Sequence, residues 1–126
     1  MILGVGIDLV DVARAERLLA AKGERALARL CTDREAAYVR AHPAVAASFA
    51  ARLAAKEAAY KALAGSDEAR GIGWRDIEVE RAADGKPSLV FRGLARARAE
   101  ALGVTRVHLS MTHTDLSAGA VVVLEG

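Results

Sequence analysis

The stretch AVAASFAARLAAKEAAYKALA, residues 44–64, contains no glycine or proline and is followed at once by Gly65-Ser66-Asp67. Alanine loses no side-chain entropy in a helix, and Leu, Lys, Arg and Glu lose little. The run therefore predicts the longest helix of the chain. With 3.6 residues per turn, Ala51, Ala54, Ala55, Ala58, Ala59 and Ala62 gather on one side. Such a side lets another backbone come close. The other side carries Arg52, Lys56, Glu57, Tyr60 and Lys61, with Phe49, Leu53 and Leu63 among them.

The simplest account of those charges is a solvated face with a Glu57–Lys61 pair one turn apart, worth about a few tenths of a kcal/mol. Two features favour a ligand-facing surface instead. The interspersed Phe and Leu make the face half apolar. Lysine is also scarce: the chain has fourteen Arg and four Lys, and two of the four are Lys56 and Lys61. An ammonium is a compact point charge that can sit on a single phosphate oxygen, whereas a guanidinium prefers forked contacts.

Upstream, CTDREAAYVRAHP offers Thr32 as N-cap with Glu35 three residues on, a capping box, and His42-Pro43 closes that helix. A short helix over Glu24–Leu30 precedes it. Before Gly23, Val12, Ala15, Leu18 and Leu19 recur at helical spacing behind a capping Asp11, which sets Arg14 and Arg17 beside the apolar stripe. At the start, ILGVGIDLV reads as a buried strand in which Gly4 and Gly6 permit close backbone approach.

Downstream, the glycines between Gly65 and Gly73 mark a loop. WRDIEVER and PSLVFR flank the turn ADGKP as a hairpin, Leu94–Leu102 reads as a helix ended by Gly103, and VTRVHLSMTH and AGAVVVLEG read as two more strands. The expected class is α+β, a single domain over residues 1–126, with the long helix packed on a mainly antiparallel sheet.

The chain is 53% hydrophobic yet only 4% aromatic. Alanine-rich positions remove little area from water, so subunit association is expected to supplement a thin core. A formal charge of +2 is too mild to indicate a nucleic-acid partner. No apolar run approaches the roughly 18–20 residues of a spanning helix, and no signal peptide is evident. The reading is a cytoplasmic protein without a membrane or nucleic-acid partner. The lone Cys31 cannot form an internal disulfide and reads as an inert core thiol. His42 and His108 read as structural, and His113 as structural or as a phosphate donor.

Asp8 is the anomaly. A carboxylate inside an apolar strand is costly unless it is paired, capping or metal-bound. Together Asp8 and Glu57 are about the minimum protein donor set for Mg²⁺, which takes one or two carboxylates and completes its shell with water and substrate phosphates. Nearby Lys and Arg would then hold those phosphates. Three readings share these features: a metal-dependent phosphate-chemistry enzyme, a non-catalytic nucleotide- or coenzyme-binding module, and an adaptor whose first helix docks an acidic partner.

Three segments in order, GVGIDLVDVAR, FAARLAAKEAAYKAL and VHLSMTHTDLSAGAVVVLE, resemble the holo-acyl-carrier-protein synthases, the small bacterial class of 4′-phosphopantetheinyl transferases. The resemblance spans nearly the whole chain. It implies transfer of the phosphopantetheine arm of coenzyme A to a serine of apo-acyl carrier protein in fatty acid biosynthesis, with release of adenosine 3′,5′-bisphosphate and with Mg²⁺ as cofactor. By matching position, Asp8 and Glu57 resemble the metal ligands, and Lys61 the lysine facing the pyrophosphate. Arg52, Lys56, Lys86, Pro87, Ser110 and His113 resemble residues bordering coenzyme A, and Arg14 and Arg17 the basic surface offered to the carrier protein. The resemblance also implies a homotrimer with sites between protomers, so that His113 faces Asp8 and Glu57 of a neighbour. The general base stays open between Glu57, Asp8 and a metal-activated water. One departure is the loop GSDEARGIG, where the family commonly has a short GTGI-like turn.

Overall fold

The structure, a computed structural model, describes residues 1–64 and 70–126. The loop expected over Gly65–Gly73 therefore lies partly outside the described residues. The chain runs β1 (Ile2–Asp11), α1 (Val12–Lys22), α2 (Glu24–Leu30), α3 (Asp33–Ala41), α4 (Val45–Leu63), β2 (Ile77–Arg81), β3 (Pro87–Phe91), α5 (Gly93–Leu102), β4 (Arg106–His113) and β5 (Ser117–Glu125), with a 3₁₀ turn at Trp74–Asp76 just before β2. The α+β class and the long central helix are as expected.

Local signals explain several boundaries. Thr32 and Glu35 form the full capping box: the Thr32 hydroxyl accepts from the Glu35 N–H at 3.2 Å, and Glu35 Oε1 accepts from the Thr32 N–H at 2.9 Å. Asp11 stands at the N-cap of α1 but makes no side-chain cap bond. Gly103 ends α5 with φ +83°, a left-handed conformation that a Cβ would strain.

The sheets are β1-β5-β4 and the hairpin β2-β3, and every pairing is antiparallel. The register sorts the larger sheet into two faces, because successive residues of a strand point to opposite sides. The inner face carries Gly4, Gly6, Asp8 and Val10 of β1, Ala118, Ala120, Val122 and Leu124 of β5, and Val107, Leu109, Met111 and His113 of β4. It packs on α4. Gly4 and Gly6 lie so close to the Ala62 and Ala58 carbonyls that a Cβ on either would overlap them. The alanine side of α4 and the two glycines thus bring β1 against the helix backbone.

Two sequence expectations change here. α4 is buried on nearly all sides, including Arg52 and Lys56, because α1, α3 and β2 cover what looked like a half-exposed face. β1 is not buried on both faces: Val5, Ile7 and Leu9 on its outer side are 59%, 69% and 69% exposed. A one-sided edge strand and a two-sided core strand share the same apolar composition, so the sequence did not separate them. Among the described residues no helix is long and apolar enough to cross a membrane.

Candidate active site

The close crossing of β1 over α4 sets Asp8 beside Glu57 and Lys61. Lys61 Nζ donates to Asp8 Oδ1 and to the Ile7 carbonyl, each at 3.0 Å. The other carboxylate oxygen, Asp8 Oδ2, is buried and meets no donor. Glu57 faces the same carboxylate. Burial first, and then the adjoining Asp8 carboxylate, push the Glu57 carboxyl up to about 7. Arg14 Nη2 of α1 approaches Glu57 Oε1 at 3.7 Å. The Glu57–Lys61 pair of the simplest account gives way to two longer-range ones, Lys61 with Asp8 and Arg14 with Glu57. Two facing carboxylates with an orphaned buried oxygen repel each other, and a cation between them would remove that cost. The donor set fits a divalent metal. Among the described residues no group of three or more His, Cys, Asp or Glu gathers, so such a cation would take its remaining ligands from water or a bound phosphate.

A cleft of about 430 Å³ opens next to Glu57 and Lys61, with Tyr60, Ile72, Trp74 and Arg70 among its lining residues. Tyr60, Ile72 and Trp74 escaped sequence reasoning as site residues. Tyr60 stands on α4 three residues after Glu57, on the side already read as ligand-facing, whereas Ile72 and Trp74 carry no spacing signal and come from the chain after α4.

Lys56 lines the same cleft, but its ammonium is turned to partners within the protein. The resemblance puts it near the phosphates of the coenzyme. In the structure it is 1% exposed, and its ammonium donates to Glu35 Oε1 at 2.7 Å, to the Trp74 carbonyl at 2.9 Å and to the Ile77 carbonyl. An ammonium has three protons, and all three are engaged, so none is left for a phosphate.

Arg52 differs. Its guanidinium carbon lies 4.1 Å from the Tyr38 ring centroid, and Nη1 donates to the Ser48 hydroxyl at 3.2 Å. Among the described residues it has no carboxylate partner, and its buried Nε meets no acceptor. Burial, and then the charge of Arg81, hold it below the ordinary arginine value. Arg81 lies near the same ring, its guanidinium carbon 5.4 Å from the Tyr38 centroid, and its Nη1 donates to the Gly85 carbonyl at 2.8 Å in the turn that carries Lys86. Pro87 is the register partner of Arg81. Arg52, Arg81, Lys86 and Pro87 thus form a second, basic group at the hairpin, apart from the carboxylates.

Ser110 lies on the outer face of β4, opposite Val121, whereas His113 lies on the inner face at the exposed strand end. Neither is among the residues lining the cleft of the same chain. Arg17 is exposed on α1, on the same helix as Arg14. Cys31 is buried, and burial first, then the Glu35 carboxylate, push its thiol up to about 11, as expected of an inert core residue.

Comparison with known proteins gives the family and the fold. Residues 4–119 match the model of the 4′-phosphopantetheinyl transferase superfamily. The chain is 52% identical to a holo-[acyl-carrier-protein] synthase of Anaeromyxobacter dehalogenans, over 100% of this chain and 98% of that one. Among solved structures, a holo-[acyl-carrier-protein] synthase from Neisseria meningitidis superposes with a TM-score of 0.87 at 30% identity, covering 100% of both chains. One from Bacillus anthracis, solved in complex with coenzyme A (3′,5′-ADP), superposes with a TM-score of 0.78 at 32% identity, over 98% of this chain and 96% of that one.

Proposed function

This chain belongs to the 4′-phosphopantetheinyl transferase superfamily, and we propose that it transfers the 4′-phosphopantetheine group of coenzyme A to a serine of apo-acyl carrier protein in fatty acid biosynthesis. The other product is adenosine 3′,5′-bisphosphate. The observation that carries the site assignment is the buried, donorless Oδ2 of Asp8 facing Glu57. These two carboxylates would hold Mg²⁺, which when bound draws charge off the pyrophosphate of the coenzyme.

The rest of the work falls to the residues of the chain. The carrier serine attacks the phosphorus that bears the pantetheine arm, and the bond to the departing phosphate breaks. Lys61, held between Asp8 and the Ile7 carbonyl with its side chain 56% exposed, faces the phosphates and offsets charge on the departing one. Glu57, Asp8 or a metal-activated water would receive the serine proton. Arg14 at the lip of the site, with Arg17 beyond it, would meet an acidic surface of the carrier. Arg52, Lys86 and Pro87, joined by Arg81, would border the phosphate-bearing nucleotide end of the coenzyme.

The apolar outer face of β1 supports a homotrimer in which Ser110 and His113 complete a neighbouring site. An Ile7→Lys variant should then sediment as a smaller species and lose activity. An unchanged mass would remove the trimer from the account. The cell compartment that fits this activity is the cytoplasm. The direct test is to incubate the protein with apo-acyl carrier protein, coenzyme A and Mg²⁺, with and without chelator, and to weigh the carrier. A chelator-sensitive phosphopantetheine gain is expected. Coenzyme binding without any gain would instead indicate a non-catalytic module.

A further inference from the structure

Lys56 lies one residue before the metal-facing Glu57 and is itself among the residues that line the cleft, but it is 1% exposed and its ammonium is engaged in a buried polar knot. Its Nζ reaches Glu35 on α3 and two backbone carbonyls of the Trp74–Ile77 segment. Glu35 is engaged on both oxygens: Oε1 also accepts from the Thr32 N–H at 2.9 Å, and Oε2 accepts from the Val79 N–H at 2.9 Å. The knot extends further, because the Thr32 hydroxyl donates to Glu78, and Glu78 Oε1 accepts from Arg92 Nη1 at 2.8 Å. Helix caps ordinarily serve one helix end. This one also joins α3, α4 and the entry to β2.

The segment so held is the wall of the cleft. Trp74 and Ile77 line it together with Glu57 and Lys61, and the two carbonyls that Lys56 engages belong to those two residues. We propose that Lys56, locked by Glu35, is a positioning residue: it fixes the Trp74–Ile77 wall against α4 and so sets the width of the cleft in which the coenzyme sits, without touching the coenzyme itself. The proposal rests on the cleft being the coenzyme site.

Its physical basis is geometric. A 3₁₀ turn of three residues has few hydrogen bonds of its own, and the described chain between α4 and β2 has no sheet partner. An ammonium with a buried counter-charge is a strong and directional tether, and it stays in place only while Glu35 remains to balance it.

Trp74 is the single tryptophan of the chain, so its fluorescence reports the wall without help from activity. The test compares wild type with Lys56→Met, which keeps the length of the stem and removes the donors, and with Lys56→Met/Glu35→Gln, which leaves no unpaired buried charge should the single variant fail to fold. For whichever variant keeps native far-UV circular dichroism, the Trp74 emission should move to the red and be more readily quenched by acrylamide. The KM for coenzyme A should rise about tenfold or more while kcat falls by less than about threefold, the signature of lost binding rather than lost chemistry. Restoring stability in the double variant should not restore KM.

Unchanged Trp74 quenching with a raised KM would mean that Lys56 touches the coenzyme directly, and would overturn the proposal. A folded double variant with wild-type KM and quenching would reduce the pair to ordinary core stabilisation, also overturning it. A wild-type protein that modifies no carrier would defeat the functional reading, and the quenching comparison would still decide whether Lys56 holds the wall.

Discussion

Lys56 and Lys61 stand five positions apart on one alanine-rich helix, and the structure gives them opposite tasks. Lys56 is 1% exposed and spends every donor inside the protein. Lys61 has a side chain 56% exposed, holds one oxygen of Asp8 and opens onto the cleft. Between them Glu57 faces Asp8 across the β1–α4 crossing. One helix therefore carries a sealed polar knot and an open charged site side by side, and what separates them is which neighbour covers each turn. Residue type alone does not assign a role here; the partners do.

Replacing each lysine by methionine sharpens that contrast. Lys56→Met strands Glu35 in the core, and removing one member of a buried pair costs about 3–5 kcal/mol, readable as a lower midpoint in chemical denaturation. Lys61→Met should change stability by less than about 1 kcal/mol, as for partly exposed pairs, while slowing turnover by about a hundredfold, the scale for losing one preorganised electrostatic partner. Equal stability losses in the two variants would erase the distinction.

The close approach beneath the open site gives a smaller effect. Gly6→Ala drives a methyl into the Ala58 carbonyl, and such overpacking costs about 1–3 kcal/mol. The shift of β1 should also part Asp8 from Glu57, so carrier modification should fall more than stability does. Normal activity in this variant would mean that the crossing does not set the carboxylate pair.

The smallest effect is a pH slope. Glu57 titrates at about 7 in the folded chain against 4.5 as its ordinary value. Because the folded value is the higher one, its contribution is fully present below about pH 4.5 and is lost as pH rises through about 7. Metal-free protein should lose stability across that window, and Glu57→Gln should flatten the profile. Divalent cation should offset the loss at the upper end, since binding favours the ionised pair. An identical slope in the variant would place the titration elsewhere.

Much of the fold was legible because its signals are local. The Thr32–Glu35 capping box, the ADGKP turn and the glycine-free run before Gly65 each act within a few residues. The carboxylate pair was legible for a different reason: an acid in an apolar strand is conspicuous, and motif order tied Asp8 to Glu57. Contacts made far along the chain were not legible. Lys56 finds Glu35, Trp74 and Ile77 at separations of 18–21 residues, and no periodicity announces a carbonyl as a partner. Arg52 likewise read only as part of a ligand-facing surface, because its Tyr38 neighbour belongs to another helix. The exposed outer face of β1 was hidden by composition, which is the same for a core strand and for one awaiting a second subunit.

The central claim is that Asp8 and Glu57 hold the divalent cation on which transfer depends. The most direct measurement is the mass of apo-acyl carrier protein after reaction with coenzyme A over a Mg²⁺ titration, for wild type and Glu57→Gln. The account predicts a Mg²⁺-dependent phosphopantetheine gain for wild type and none at any Mg²⁺ concentration for a variant that remains folded. A variant that modifies the carrier at near-normal rate with the same Mg²⁺ dependence would contradict it.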